Sequence, residues 1–245
     1  MLRKTLIVLG LLAVLIGGAA WWAIHSLDHI VKSALEHYGP QVLGVSVAVG
    51  NVEISTQNGR GVIRDVTLGN PSGYAGTHAF RVGEVTVALD AATLTSDVVV
   101  IREISIDAPD IQYELVGGKA NLDVIQQNIE RYLAQARGTS KDESAANAPK
   151  KERRYIIHAA NIRKAQVRVT NPLLKNGGLD FTLPDITLRR IGDDGAGVTG
   201  GEAARIVAQA LVLRIAAKAL SSGQLFERGV DGALDMLKEI LRPRN

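Results

Sequence analysis

The 245-residue chain is 46% apolar and 22% charged, the proportions of a folded protein rather than a disordered one. It contains no cysteine, which excludes disulfides, thiolate metal sites, a cysteine nucleophile and a lipidated N-terminal cysteine. Aromatic residues make up 4% and the formal charge is +3, with the basic residues scattered, so the chain lacks the features of a nucleic-acid-binding surface.

Arg3 and Lys4 precede an uncharged apolar run from Thr5 to Ile24. A helix of about 20 such residues covers roughly 30 Å, the hydrocarbon thickness of a bilayer. Leu6, Ile7, Leu11, Leu12, Leu15 and Ile16 supply this single-span anchor, Trp21 and Trp22 suit its far interface, and the basic pair stays in the cytoplasm. A cleaved signal peptide is the rival, with Gly18-Ala19-Ala20 as its cleavage region. The length of the run and its direct passage into a helical pattern favour an uncleaved anchor. Either way, the residues after about position 25 are expected outside the cytoplasm.

From His25 to Tyr38, Leu27, Ile30, Val31, Ala34 and Leu35 form a helical stripe that Gly39-Pro40 is expected to stop. The period then changes to two. Val45, Val47 and Val49 share one parity, Asn58-Gly59 signals a hairpin, and Val62, Val66 and Leu68 begin the return strand. Asn70-Pro71-Ser72-Gly73 reads as a turn and Gly83 as a bulge. Val85, Val87 and Leu89 alternate, as do Ile104 and Ile106, and then Ile111, Tyr113 and Leu115 after a bend at Pro109. Asn121 caps a helix over 121–137, and the polar stretch 138–152 reads as a flexible loop. Further strands follow in Tyr155–Val169 and Leu179–Ile191, with Phe181 in the second. Two C-terminal helices close the chain, Glu202–Leu220 and Leu225–Leu241. The first is apolar almost all round, as suits a helix buried between layers.

The expected fold is α+β. It comprises an N-terminal transmembrane helix, a curved, mostly antiparallel sheet of about eight strands, a mid-chain helix and two C-terminal helices. The divisions fall at 1–38, 39–201 and 202–245. Each strand offers one apolar and one polar face. The apolar face, with Val45, Val47, Val62, Val66, Val85, Val87, Ile104, Ile106, Ile111 and Phe181, is the candidate binding surface.

The chemistry-bearing patterns carry less. Gly195, Gly197 and Gly200 spell G-x-G-x-x-G, but no strand follows the next helix and no ribose-binding acid lies about twenty residues on. His25, Asp28 and His29 have metal-ligand spacing, with His37 two turns further, yet they sit where a polar membrane boundary is expected. His78 and His158 read as isolated, partly exposed strand residues. Asp107 and Asp110 fall on the wet side near a bend, with no cleft to separate their pKa values. No G-x-S-x-G turn occurs. Lys150, Lys151, Arg153 and Arg154 form a basic run, either a solvated surface or a contact for anionic lipid or an acidic partner. No cofactor, metal or catalytic centre is expected.

The segments Gly61–Tyr74, Ala79–Val85 and Ile104–Glu114, followed by Asn121-Leu122, Asn161–Ala165 and Phe181–Leu188, together resemble the AsmA-like proteins of the Gram-negative envelope. The resemblance implies an inner-membrane anchor with the bulk in the periplasm. It also implies a curved sheet with an apolar concave face, in a superfamily whose large members are implicated in phospholipid transport and outer-membrane maintenance. Eight strands at ~4.8 Å each extend only on the order of 40 Å, too short to bridge two membranes. Two readings stay open: local binding of a phospholipid acyl chain, or a scaffold for an envelope complex in which the C-terminal helices fill the apolar face.

Overall fold

The computed structural model describes residues 27–55, 57–139, 153–171 and 178–221. The apolar run from Thr5 to Ile24, residues 140–152 and the segment Leu225–Leu241 lie outside them. Among the described residues no helix is long and apolar enough to cross a membrane.

The class is α+β, with eleven strands among the described residues in a curled mixed sheet where about eight were expected. Strands β1 (Val47–Ala48) and β2 (Asn51–Ser55) both pair with β3 (Arg60–Leu68), which pairs with β4 (Phe80–Leu89). Gly59 turns the β2–β3 hairpin at φ 57°, as Asn58-Gly59 predicts. Next come β5 (Val98–Asp107), β6 (Asp110–Val116), the two-residue β7 (Lys119–Ala120), β8 (Arg154–Arg163), β9 (Gln166–Thr170), β10 (Leu179–Thr182) and β11 (Ile186–Ile191). Most pairings are antiparallel. The exceptions, β5–β8 and β6–β9, are parallel, because the chain between them crosses over through a helix.

The extra strands arise where single long strands break at a crease. Ala108 and Lys164 adopt left-handed φ of 49° and 52° between β5 and β6 and between β8 and β9, and Asp65 does the same at 53° within β3. Ala108 N–H donates to Arg163 O and Gln166 N–H to Pro109 O, both at 2.8 Å, so neighbouring strands bend in step. Across the crease the inward parity changes, from Ile106 to Ile111 on one strand and from Ile162 to Val167 on the next. The bulge expected at Gly83 is not there. Register holds from Arg64–Glu84 to Val66–Val82 and instead shifts between Ala88 and Leu89, where Arg102 is the extra residue.

A helix over 27–43, α1, runs past Gly39-Pro40 and ends at Gly44, which takes the left-handed C-terminal position at φ 68°. Proline removes one N–H near the end of the helix. The extra turn is worth keeping because Val42, Leu43 and buried Val45 pack on Ile125 and Ile129 of the mid-chain helix α2 (Asn121–Thr139). Helix α3 (Gly200–Ser221) opens with a capping box. Glu202 N–H donates to Thr199 Oγ1 at 3.2 Å, and Thr199 N–H donates to Glu202 Oε2 at 2.9 Å.

Helices α2 and α3 lie together over one face of the sheet, here called inner. Ile111, Tyr113, Ile162, Val167 and Ile186 meet Leu211 and Ile215 of α3 in the largest core cluster. Ile157, Ala160 and Ile191 meet Ala203 and Ile206 in another. The apolar helix 202–220 packs one side on the sheet and is not buried between layers as its composition suggests: Gln209, Leu213, Arg214 and Ala217 are exposed, Leu213 at 54%.

Candidate functional site

Strand register sorts the apolar residues into cross-strand rows, because directly paired residues share a face. One inner row runs Val52, Ile63, Val85, Ile106, Ile162, Ile186. The next runs Ile54, Gly61, Val87, Ile104, Ala160, Leu188, and a third begins Leu89, Ile101, Ile157. The β5–β8–β11 ends of these rows lie under α3. At the β2–β3–β4 ends, Ile54, Ile63, Val85, Val87 and Leu89 are half-buried while Val52 and Gly61 are buried, and none of them belongs to the three core clusters. In the middle of this strip sits Gly61. Among the described residues, a Cβ built there meets only Val87 Cβ, at 3.9 Å.

The ten predicted surface residues divide accordingly. Val85 and Val87 lie in the open strip. Ile104 and Ile106 pack on the clusters beneath α3. Val47, Ile111 and Phe181 fall in one row beyond the crease, through Val47–Leu68–Phe80–Ile111–Val167–Phe181, and Ile111 is fully buried. Val45 is buried against α2, and Val66 is half-buried at the crease opposite Val82. Val62 was misplaced. It pairs with Thr86 on the outer face, and Ile63 takes the inner position. The error comes from carrying one parity through Asp65, whose left-handed φ changes the phase.

Helix α1 covers the sheet edge next to the strip. Asp28 Oδ1 accepts from Ile54 N–H at 2.8 Å, Lys32 Nζ donates to Gly50 O at 2.9 Å, and Glu36 Oε1 accepts from Val49 N–H at 2.9 Å. Residues 28, 32 and 36 share one helical face, so three side chains satisfy edge groups that would otherwise invite another strand. The contact also fixes an end. The first turn of α1, two residues beyond the apolar run, lies beside the β2–β3 hairpin and the mouth of the strip.

The outer face is polar and cross-linked. Arg163 forks onto Asp107 at 2.9 and 3.1 Å, Arg168 onto Asp180 at 2.7 and 3.3 Å, and Arg64 bridges Glu53 and Glu84. The Asp107 carboxyl is held below its ordinary range chiefly by the hydrogen bond from Arg163, and Glu103 by those from Ser105 and Asn161. Depressed carboxyls stabilise the fold above their unfolded pKa and lose that contribution as pH falls through the folded value. An Asp107→Asn, Glu103→Gln double variant should therefore show a flatter stability profile between about pH 5 and pH 3. Both groups are exposed, so the difference at pH 7 stays under about 1 kcal/mol. Denaturant midpoints across that range check it.

His78 is not the exposed strand residue expected. It is 2% exposed, with Nε2 3.0 Å from Asp110 Oδ2 and Nδ1 2.9 Å from Thr77 Oγ1. The hydroxyl–imidazole–carboxylate chain has the connectivity of a hydrolase triad, but Thr77 and His78 are chain neighbours and the imidazole is sealed from substrate. Its role is to tie the 70–79 loop to β6. A neighbouring outer-face cavity of about 300 Å³, lined by Asp110, Gln112, Gln166, Arg168 and Asp180 among others, has its arginine already committed to Asp180. Asp107, held by Arg163, and Asp110, held by His78, do not converge. His25 and the lysines of the 150–154 run lie outside the described residues. His29 and His37 are exposed, and no three histidine or acidic side chains among the described residues group to hold a metal.

The G-x-G-x-x-G stretch serves as a connector. Val198 bridges to Tyr155, and the Arg154 guanidinium donates to Ala196 O and Gly197 O, so the loop turns carbonyls, not amides, toward the charge beside it. Sequence reasoning missed two features. The Thr199–Glu202 capping box carries a readable T-x-x-E signature. The second role of Asn121 does not: besides holding Leu122 N–H at the start of α2, its amide pairs with the β6 backbone where β4 begins.

No protein-family model matches the chain, and no curated protein matches it either.

Proposed function

We propose that the chain is a membrane-tethered, non-enzymatic protein of the bacterial envelope, of the AsmA-like kind. In this reading the open strip receives part of a phospholipid acyl chain. The observation that carries it is the strip of Ile54, Ile63, Val85, Val87 and Leu89. These residues are apolar, belong to none of the described core clusters, and lie beside the first turn of α1, where the apolar run joins. A tether there sets the mouth of the strip at the outer leaflet of the inner membrane. The mechanism is passive: each methylene moved from water into the strip gains about 0.8 kcal/mol, so four or five give measurable affinity. The bulk of the chain would lie in the periplasm.

Native mass spectrometry of the full chain, released from mild detergent, should find co-purified phospholipid. Recovery of lipid-free protein, under conditions that leave a control lipid carrier loaded, would refute the reading.

A second reading, a scaffold for an envelope complex, is favoured by one specific observation. Helices α2 and α3 fill the inner face over β6, β8, β9, β10 and β11, which restricts any groove to the β2–β4 side.

A further inference from the structure

The outer-face cavity of about 300 Å³ plays no part in the strip or in the packing of α2 and α3. Two cross-strand rows build it. Asp110 on β6 stands opposite Gln166 on β9, which stands opposite Thr182 on β10. One step along, Gln112, Arg168 and Asp180 are aligned in the same way. At the spacing of neighbouring strands and of alternate residues, the two rows cover roughly 10 Å by 7 Å.

Exposed polar side chains sample several rotamers, and fixing them costs entropy when a ligand binds. Here the walls are already held. Asp110 Oδ2 lies 3.0 Å from Nε2 of the buried His78. Arg168 donates through Nε and Nη2 to Asp180, at 2.7 and 3.3 Å. Gln166 donates to Lys164 O at 3.2 Å and accepts from Thr182 Oγ1 at 3.0 Å. These bonds spend only part of each group. Asp110 Oδ1, Arg168 Nη1 and the whole side-chain amide of Gln112 make no protein hydrogen bond among the described residues.

Charge decides the class of ligand. Arg168 and Asp180 neutralise each other, and Asp110, held by His78, lies opposite Arg81 of β4. A charged ligand would have to compete with these pairs. A neutral one can use what they leave over: an acceptor at Asp110, a donor at Arg168, and both at Gln112. A hydroxyl is donor and acceptor at once, so a ring that carries several of them matches this mixed array.

We propose that the cleft binds a single sugar ring through its hydroxyl groups. The site is independent of the strip, which lies on the opposite face. Three net hydrogen bonds correspond to a dissociation constant on the order of millimolar.

Full-length protein in phosphatidylcholine nanodiscs, which carry no sugar headgroup, is titrated with the methyl glycosides of glucose, galactose and mannose and with N-acetylglucosamine. Saturation-transfer NMR reads the bound ring, and at least one sugar should give a signal. Gln112→Ala removes a side-chain amide that holds nothing in the free protein. It should weaken binding about tenfold at unchanged melting temperature. Arg168→Lys, which keeps the charge and loses the fork, should weaken it as well. Thr86→Ala, on the outer face across the crease, should change nothing. Salt at ~1 M should leave binding within about twofold, because the ligand is neutral. Co-purified phospholipid should be the same in every variant, so failure of the strip leaves this site standing. Silence from all four sugars overturns the proposal. A signal that survives both Gln112→Ala and Arg168→Lys unchanged overturns it too, since the ring then binds elsewhere. If the sugars are silent and methylguanidinium binds, with loss at ~1 M salt, the cleft takes a cationic side chain and the sugar assignment is wrong.

Discussion

Replacing Asn121 by alanine should cost about 3–5 kcal/mol of unfolding free energy, well above the usual effect of a single substitution. Asn121 is 0% exposed and its amide makes four hydrogen bonds. Oδ1 accepts from Glu114 N–H at 3.0 Å and from Leu122 N–H at 2.9 Å, and Nδ2 donates to Gln112 O and Asn70 Oδ1, both at 2.7 Å. Strand β4 begins at Phe80, opposite Ile111, and Ala79 O accepts from Gln112 N–H. Beyond that point β6 would present unpaired backbone toward β4. The side-chain amide supplies one donor and one acceptor there, as a further peptide group of β4 would. Alanine strands a carbonyl and an N–H in the interior, and each orphan costs about 1–3 kcal/mol.

Asn121→Asp separates this account from simple helix capping. A carboxylate is as good a cap as an amide, but it sets negative charge against Gln112 O and Asn70 Oδ1. It should therefore destabilise as much as alanine. Denaturant unfolding of the full chain in detergent, followed by far-UV circular dichroism, measures both. A loss below about 1 kcal/mol for Asn121→Asp would mean that only the cap matters.

The same residue shows what the sequence carries and what it leaves out. Local physics was legible. Period-two alternation located the strands, Asn58-Gly59 the hairpin, Pro109 the bend and Asn121 the start of α2. Each depends on neighbours in the chain. The crease was only half legible. Pro109 marks it on one strand, but Lys164 and Asp65 mark it on two others; lysine gives no sign of a left-handed backbone, and aspartate, though enriched there, adopts it too seldom to mark a crease inside a strand. Parity carried through Asp65 therefore assigned Val62 to the wrong face. Coverage was not legible at all. Ile104 and Val87 face each other across β5 and β4 with similar side chains, yet α3 packs on the first and not on the second. That depends on the parallel β5–β8 pairing, which joins residues 56 positions apart through the α2 crossover. His78 was misjudged for the same reason, since Asp110 lies 32 residues away.

Gly61→Leu should empty the strip without harming the fold. A glycine inside a strand ordinarily weakens it, through backbone entropy and a missing side chain. Here it sits in the inner row between Ile54 and Val87, outside the left-handed region, with only Val87 Cβ within 4 Å of a Cβ built in its place, among the described residues. A leucine side chain from that position would cover Val87 and occupy the space over the row. Displacing about four methylenes of an acyl chain removes ~3 kcal/mol of its binding, roughly a hundredfold in affinity. Stability should hold or rise, by about 1 kcal/mol, because the leucine buries apolar surface of its own. The paired readout makes the result decisive. Phospholipid lost at unchanged melting temperature is what an open groove gives. Phospholipid retained at wild-type stoichiometry means that the strip is not the lipid site. A fall in melting temperature means that the space over Gly61 is already filled by the protein. In that case the inner face is closed from β2 to β11, which removes the physical basis for lipid binding and leaves the scaffold reading.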